Sequence, residues 1–101
     1  MNNTENKAVK EIYSLLKKHE IAPTALAINI KIVPTRLFEI LKQKRRVTAD
    51  TDLRLCKFFK KINGHFLKLQ LKYDLETAET KIHETLNNIS TIDEIPNIRK
   101  F

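Results

Sequence analysis

The chain has 101 residues, a formal net charge of +7, 42% hydrophobic residues, three prolines, one glycine and one cysteine. That length holds one domain with a modest core and leaves little room for an elaborate active site. A single glycine excludes sandwiches, barrels and phosphate-cradling loops, all of which need glycine-rich turns. A single cysteine, Cys56, excludes an internal disulfide framework and suits a reducing compartment. Leu, Ile, Lys, Glu and Ala dominate, so the expected class is all-α. No stretch approaches the ~18 apolar residues of a membrane span. Residues 1–10 are polar and do not read as a secretory signal, so a cytoplasmic location is expected.

Charge is unevenly placed. Residues 1–46 carry a net +6, residues 47–73 a net +4 and residues 74–101 a net −3. A basic body attracts phosphates, whereas an acidic end is free for something else. Basicity alone is equally what a lysine-rich, merely soluble surface would show.

Residues 1–6 are expected to be a disordered N-terminus. From residue 7 to residue 19, Ala8, Val9, Ile12, Tyr13, Leu15 and Leu16 form a 3.6-period stripe, which predicts a first helix. Pro23 suits the first position of a second helix, whose short apolar face is Leu26, Ala27 and Ile30. Pro34 repeats the device, and Val33 before it is pushed away from helical angles. A break therefore falls at residues 31–33, and a third helix runs over residues 34–42. Its inward face is Leu37, Ile40 and Leu41; Thr35, Arg36, Phe38, Glu39 and Lys42 face outward.

Thr48 is a helix N-cap, with Asp50 in the first turn where a carboxylate suits the helix dipole. The fourth helix is predicted to reach residue 60 and to bury Leu53, Cys56 and Phe59, with Leu55 and Phe58. Asn63 and Gly64 interrupt it. The last helix begins near His65 and is expected to extend toward Asn87, with two apolar edges. Phe66, Leu69 and Tyr73 form one; Leu67, Leu71, Leu75, Ala78, Ile82 and Leu86 form the other. The second edge continues past where four short helices could cover it, so Leu71, Leu75, Ala78, Ile82 and Leu86 are the expected dimer or partner interface. The remaining residues read as a tail. The expected organisation is thus residues 7–75 as the domain and 76–101 as a helical extension and tail.

Two short helices joined by a tight turn, the second polar and basic outward, match the unit that places a recognition helix in the major groove. Leu26, Ala27, Ile30, Ile32, Leu37 and Ile40 can lock the two helices together. Thr35 and Arg36 stand where base edges would be reached. Thr24, Lys31, Glu39, Lys42, Lys44, Arg45 and Arg46 complete the expected DNA-binding set. A bidentate Arg–guanine contact discriminates by roughly 1–3 kcal/mol, while phosphate contacts carry affinity without sequence preference. Arg36 is therefore assigned to specificity and residues 44–46 to grip. Against this stand a solvated Arg36 paired with Glu39 or Glu20 and a merely solubilising loop at 44–46. Phe38 is open to three uses: touching a thymine methyl, packing on the first helix or meeting a partner.

The run Ile40-Leu41-Lys42-Gln43-Lys44-Arg45-Arg46-Val47-Thr48-Ala49-Asp50-Thr51, followed by Leu53-Arg54-Leu55, strongly resembles the HigA/VapI branch of phage-repressor-like (XRE) helix-turn-helix antitoxins. Leu67-Lys68-Leu69-Gln70-Leu71-Lys72-Tyr73-Asp74-Leu75 resembles a second segment of that family, and Leu26-Ala27 stands where it carries Leu-Ala. The resemblance covers about residues 21–75. It implies a five-helix, phage-repressor-like DNA-binding domain and a homodimer. It also implies a cognate RelE/HigB-like ribonuclease toxin as partner, and repression of the shared operon through double-stranded operator DNA. The chain departs from the family's pattern at Ala22 and Pro23 (usually Ser-Gln), at Lys31 and Gln43 (usually Gly) and at Phe66 (usually Trp). A left-handed Lys31 would cost about 1–2 kcal/mol.

His19, His65 and His83 lie on separate predicted elements without ligand spacing, and Cys56 faces inward, so neither a metal nor another cofactor is expected. No Ser-His-Asp set or carboxylate pair has sequence support, and the expectation is a non-enzyme. Asp74 is expected to accept a bond from Arg54. A toxin would meet either the N-terminal helix or the acidic C-terminal segment. The alternatives are a stand-alone phage-like repressor and a protein-interaction module that has lost DNA binding.

Overall fold

The computed structural model describes residues 5–95, 97 and 98; the N-terminal expectation for residues 1–4, and that for residues 96 and 99–101 of the tail, lie outside them. Helix α1 spans Lys7–Lys18, α2 Pro23–Asn29, α3 Pro34–Leu41, α4 Ala49–Phe59, α5 His65–Lys81 and α6 His83–Asn87, followed by a 3-10 turn at Ile92–Glu94. Among the described residues there is no strand, as the composition anticipates.

The helix starts follow local chemistry. Pro23 and Pro34 stand at the first turns of α2 and α3, and neither helix has a side-chain cap. Their missing N–H groups are ones the helix leaves unpaired anyway. Thr48 caps α4 by accepting from the Thr51 N–H. Asn6, expected within a disordered N-terminus, is instead buried and caps α1, accepting from the Ala8 and Val9 N–H groups. Gly64 precedes α5 with φ 96°, a left-handed angle for which the absent Cβ carries no penalty.

The helix ends explain how a chain with one glycine makes tight turns. Glu20 (φ 53°), Lys31 (65°), Gln43 (61°) and Lys60 (57°) are all left-handed and each closes a helix. After α1, α2 and α3 the same pair of bonds recurs, for example Ile32 N–H to Ala27 O and Lys31 N–H to Ile28 O. This is the double closure in which a left-handed residue satisfies the last carbonyls of a helix.

The core is formed by one face of each of the first five helices: Ala8, Val9, Ile12, Leu15 and Leu16 from α1, Leu26 and Ala27 from α2, Leu37, Ile40 and Leu41 from α3, Leu55 and Cys56 from α4, and Phe66 from α5. Helix α1 packs on α5 and α3, α2 on α3, and α4 on α5. Leu53 departs from expectation and is 50% exposed. Helix α4 turns Thr51, Asp52, Leu55 and Cys56 inward, and Leu53 falls outside that stripe. Phe58 and Phe59 are half-buried at its rim, ring against ring with centroids 5.0 Å apart.

Buried Asp52 has a defined task. Its carboxylate accepts from the N–H groups of Gly64 (2.6 Å), Phe66 (2.9 Å) and Leu67 (2.9 Å), satisfying the start of α5 that Gly64 cannot cap with a side chain. The expected single helix from His65 toward Asn87 is instead divided at Ile82, where φ −110° and ψ 22° interrupt it. Just before that point the Thr80 hydroxyl donates to the Glu76 carbonyl, a back-bond that bends helices. The radius of gyration is 18.4 Å and the extents 59 × 34 × 22 Å. A compact chain of this length would have a radius near 13 Å. The excess comes from the second half of α5 and α6, which project from the body with every residue from Glu79 to Ile95 exposed.

Candidate nucleic-acid interface

Helices α2 and α3 and the turn between them are held by the residues expected to hold them: Leu26, Ala27, Ile30, Ile32, Leu37 and Ile40 are all buried. The turn is secured a second way. Arg54 of α4 donates through Nη1 to the carbonyls of Ile30 (2.9 Å) and Lys31 (3.0 Å), and through Nε to Asp50 (2.7 Å). These carbonyls end α2, so the guanidinium satisfies groups the helix leaves open and fixes where α3 begins. Sequence reasoning missed this role: Arg54 was expected to pair with Asp74, which it does not. The only sequence signal was an Asp50–Arg54 spacing of four on one helix face.

Thr24, Lys31, Thr35, Lys42 and Lys44 are exposed, and Glu39 is half-exposed. Arg36 extends from α3 toward the start of α4. Its Nη2 donates to the Thr51 hydroxyl at 3.1 Å and lies 3.8 Å from an Asp50 oxygen. Its Nε is buried without a partner. Asp50 thus lies between Arg36 and Arg54, tying α3, α4 and the turn together. Phe38 is 39% exposed on the outward side of α3.

The loop after α3 divides its cations. Lys44 is exposed, Arg45 pairs with Glu39 at 3.3 Å, and Arg46 turns away from α3 to Asp74 of α5, with both Nε (2.9 Å) and Nη2 (2.7 Å) on one carboxylate oxygen. Asp74 therefore has a cationic partner, but Arg46 takes the place expected for Arg54. A groove of about 360 Å³ runs here between the loop and α5, lined in part by Lys44, Arg46, Tyr73 and Asp74.

Other chemistry is sparse. Among the described residues there is no group of three or more His, Cys, Asp or Glu side chains able to hold a metal. Cys56 is buried, and its thiol pKa is raised by that burial, with the Asp52 charge adding to the shift against opposing backbone hydrogen bonds. His65 pairs with Glu11, joining α5 to α1, while His19 lies against Phe59 with ring centroids 6.0 Å apart. No helix among the described residues is long and apolar enough to cross a membrane.

Comparison with known proteins places this arrangement. No family model matches the chain. Virulence-associated protein I of Dichelobacter nodosus is 39% identical over 64 residues, 63% of this chain, and the chain thus spans 59% of that relative's length. A Coxiella burnetii structure described as an addiction module antidote protein of a HigA family superposes with a TM-score of 0.79 at 29% identity, covering 89% of this chain and 98% of that one. A Pseudomonas aeruginosa protein in complex with its 28-bp operator DNA superposes with a TM-score of 0.71 at 26% identity, covering 75% and 84%. The resemblance to HigA/VapI-type antitoxins carried by residues 40–55 and 67–75 is borne out by these likenesses, and the fold is the helix-turn-helix fold of those proteins.

Proposed function

We propose that this chain, built on the fold of the HigA-type antitoxins, is a DNA-binding antitoxin of a type II toxin–antitoxin pair. It binds its operator as a homodimer, represses its own operon and neutralises a RelE/HigB-like ribonuclease toxin. The observation that carries this reading is the helix-turn-helix itself. Its angle is fixed by six buried apolar residues and by Arg54 on the turn carbonyls, while the outward side of α3 and the following loop carry Thr35, Arg36, Glu39, Lys42, Lys44 and Arg45 with no covering element among the described residues. A rigid scaffold with a free polar and basic face suits base-edge contacts from α3 and phosphate contacts from the flanking cations. In this reading Thr24 and Lys31 contact phosphates, and the protein acts in the cytoplasm without catalysing a reaction.

Arg36 remains the specificity residue. To reach a guanine it exchanges the Thr51 hydroxyl for the base edge, a swap favoured by its unpartnered Nε. Titrating the protein against DNA from upstream of its own coding sequence and against a random duplex, at two salt concentrations, tests the reading. Salt-dependent preference for the upstream DNA supports it, and Arg36→Ala should then lose about 1–3 kcal/mol of discrimination at one base pair per half-site. Equal affinity for both duplexes at every salt would overturn it. A stand-alone repressor is the second reading, since the likeness to the operator-bound Pseudomonas aeruginosa protein bears on DNA binding and not on a toxin. An adjacent gene for a small basic protein whose toxicity is relieved by co-expression of this chain separates the two.

A further inference from the structure

The face of α5 turned toward the basic loop carries a built polar junction. Gln70 is 2% exposed. Its side-chain carbonyl accepts from the Val47 N–H (3.0 Å) and from the Asn6 side-chain amide (3.2 Å), and its own amide donates to Asp74 (2.9 Å). The other Asp74 oxygen receives both Arg46 contacts, and Asn6 in turn caps α1. One buried amide therefore connects the start of α1, the exit of the basic loop and the carboxylate that holds Arg46. Val47, the residue at that exit, is fully buried beside it.

We infer that Gln70 and Asp74 are the positioning residues of the DNA-gripping loop, and that Arg46 is a clasp rather than a phosphate contact. The inference rests on the DNA-binding reading above and assigns work within it. A loop of three consecutive cations repels itself and has many conformations to lose on binding. Anchoring its last cation and its last N–H to α5 leaves Lys44 and Arg45 at a fixed height above α3, so less freedom is lost when phosphates arrive. Arg46, already neutralised by Asp74, releases no counterion from DNA.

Salt dependence distinguishes a clasp from a grip, because each phosphate neutralised contributes about 0.9 to the slope of log affinity against log salt. The test measures that slope for the full chain with the upstream duplex and with a random duplex. Lys44→Ala, present twice in the bound homodimer, is expected to flatten the slope by about 1.8, and Arg46→Ala to leave it unchanged while lowering affinity for the upstream duplex about tenfold. Gln70→Ala changes no charge and is expected to lower the ratio of upstream to random affinity at constant slope. A slope loss of about 1.8 in Arg46→Ala, or an unchanged ratio in folded Gln70→Ala, would overturn the assignment. Thermal unfolding of Arg46→Ala, Asp74→Ala and the double variant checks the clasp without DNA. Non-additive losses are expected, and additive ones would refute it. If the wild-type chain shows no preference for the upstream duplex, the functional reading fails while the thermal cycle still decides whether the clasp exists.

Discussion

The two halves of α5 carry the same kind of apolar periodicity and meet opposite fates. The first half is anchored at every turn: Asp52 caps its start, Phe66 is fully buried, and Gln70 closes a polar junction with the basic loop. In the second half Leu75 is 70% exposed and Ala78 is exposed with it, and the stripe continues exposed through Ile82 and into α6 at Leu86. Periodicity thus reports that a face wants covering, not that the same chain covers it. Where the cover comes from another molecule, the apolar stripe outlasts the domain.

The comparison can be broken from its buried side first. Phe66→Ala should cost about 3–5 kcal/mol, because the fully buried ring is the α5 contribution to the core and its removal leaves a cavity. Denaturant unfolding reads this as a large fall in midpoint. Asp52→Ala should cost about 1–3 kcal/mol by stranding the Gly64, Phe66 and Leu67 N–H groups, with the loss appearing first as faster amide exchange in the opening turn of α5. An unchanged midpoint in either variant would mean that the first half of α5 is no better anchored than the second.

Much of this was legible beforehand, and the exceptions share a cause. Pro23, Pro34 and Thr48 each mark a helix start through chemistry confined to a few neighbouring residues, and the starts stand where those residues put them. The buried faces of α1 and α3 follow from their spacing, except that Tyr13, expected in the α1 stripe, lies at its edge and is 50% exposed. What could not be read was which distant groups meet. Arg46 and Arg54 are both within chain reach of Asp74; the choice of Arg46 depends on α4 turning Arg54 toward the α2 carbonyls. Asp52 is one of two acidic residues in the first turn of α4, and nothing local says that three N–H groups twelve to fifteen residues later require it. The exposure of the loop cations was legible from their charge, whereas their division between Glu39, Asp74 and solvent was not. Lys31 lies between these cases. The resemblance, which has glycine at this position, pointed to left-handed strain in the lysine, and its φ of 65° bears that out. Lys31→Gly should therefore raise stability by about 0.5–1 kcal/mol, the relieved strain being partly offset by the greater freedom of glycine in the unfolded chain. A lower melting temperature for this variant would mean that the lysine side chain contributes a contact outweighing the strain.

The smallest effect on folding is expected in the unanchored half, where it is the most informative. Leu75→Lys removes an apolar side chain from a site that the folded chain leaves in water, so the stability of dilute protein should change by no more than about 0.5 kcal/mol. Sedimentation at higher concentration should respond sharply, because a lysine added to the stripe of Leu71, Ala78 and Ile82 would face its own copy across a two-fold axis. Loss of the dimer with an unchanged unfolding midpoint would identify the stripe as the surface by which two copies join, and would place two α3 helices under its control. A dimer that survives Leu75→Lys would move self-association elsewhere and leave the stripe for a different protein. A fall in midpoint comparable with that of Phe66→Ala would erase the distinction between the two halves, because it would require the second half to be packed within the single chain.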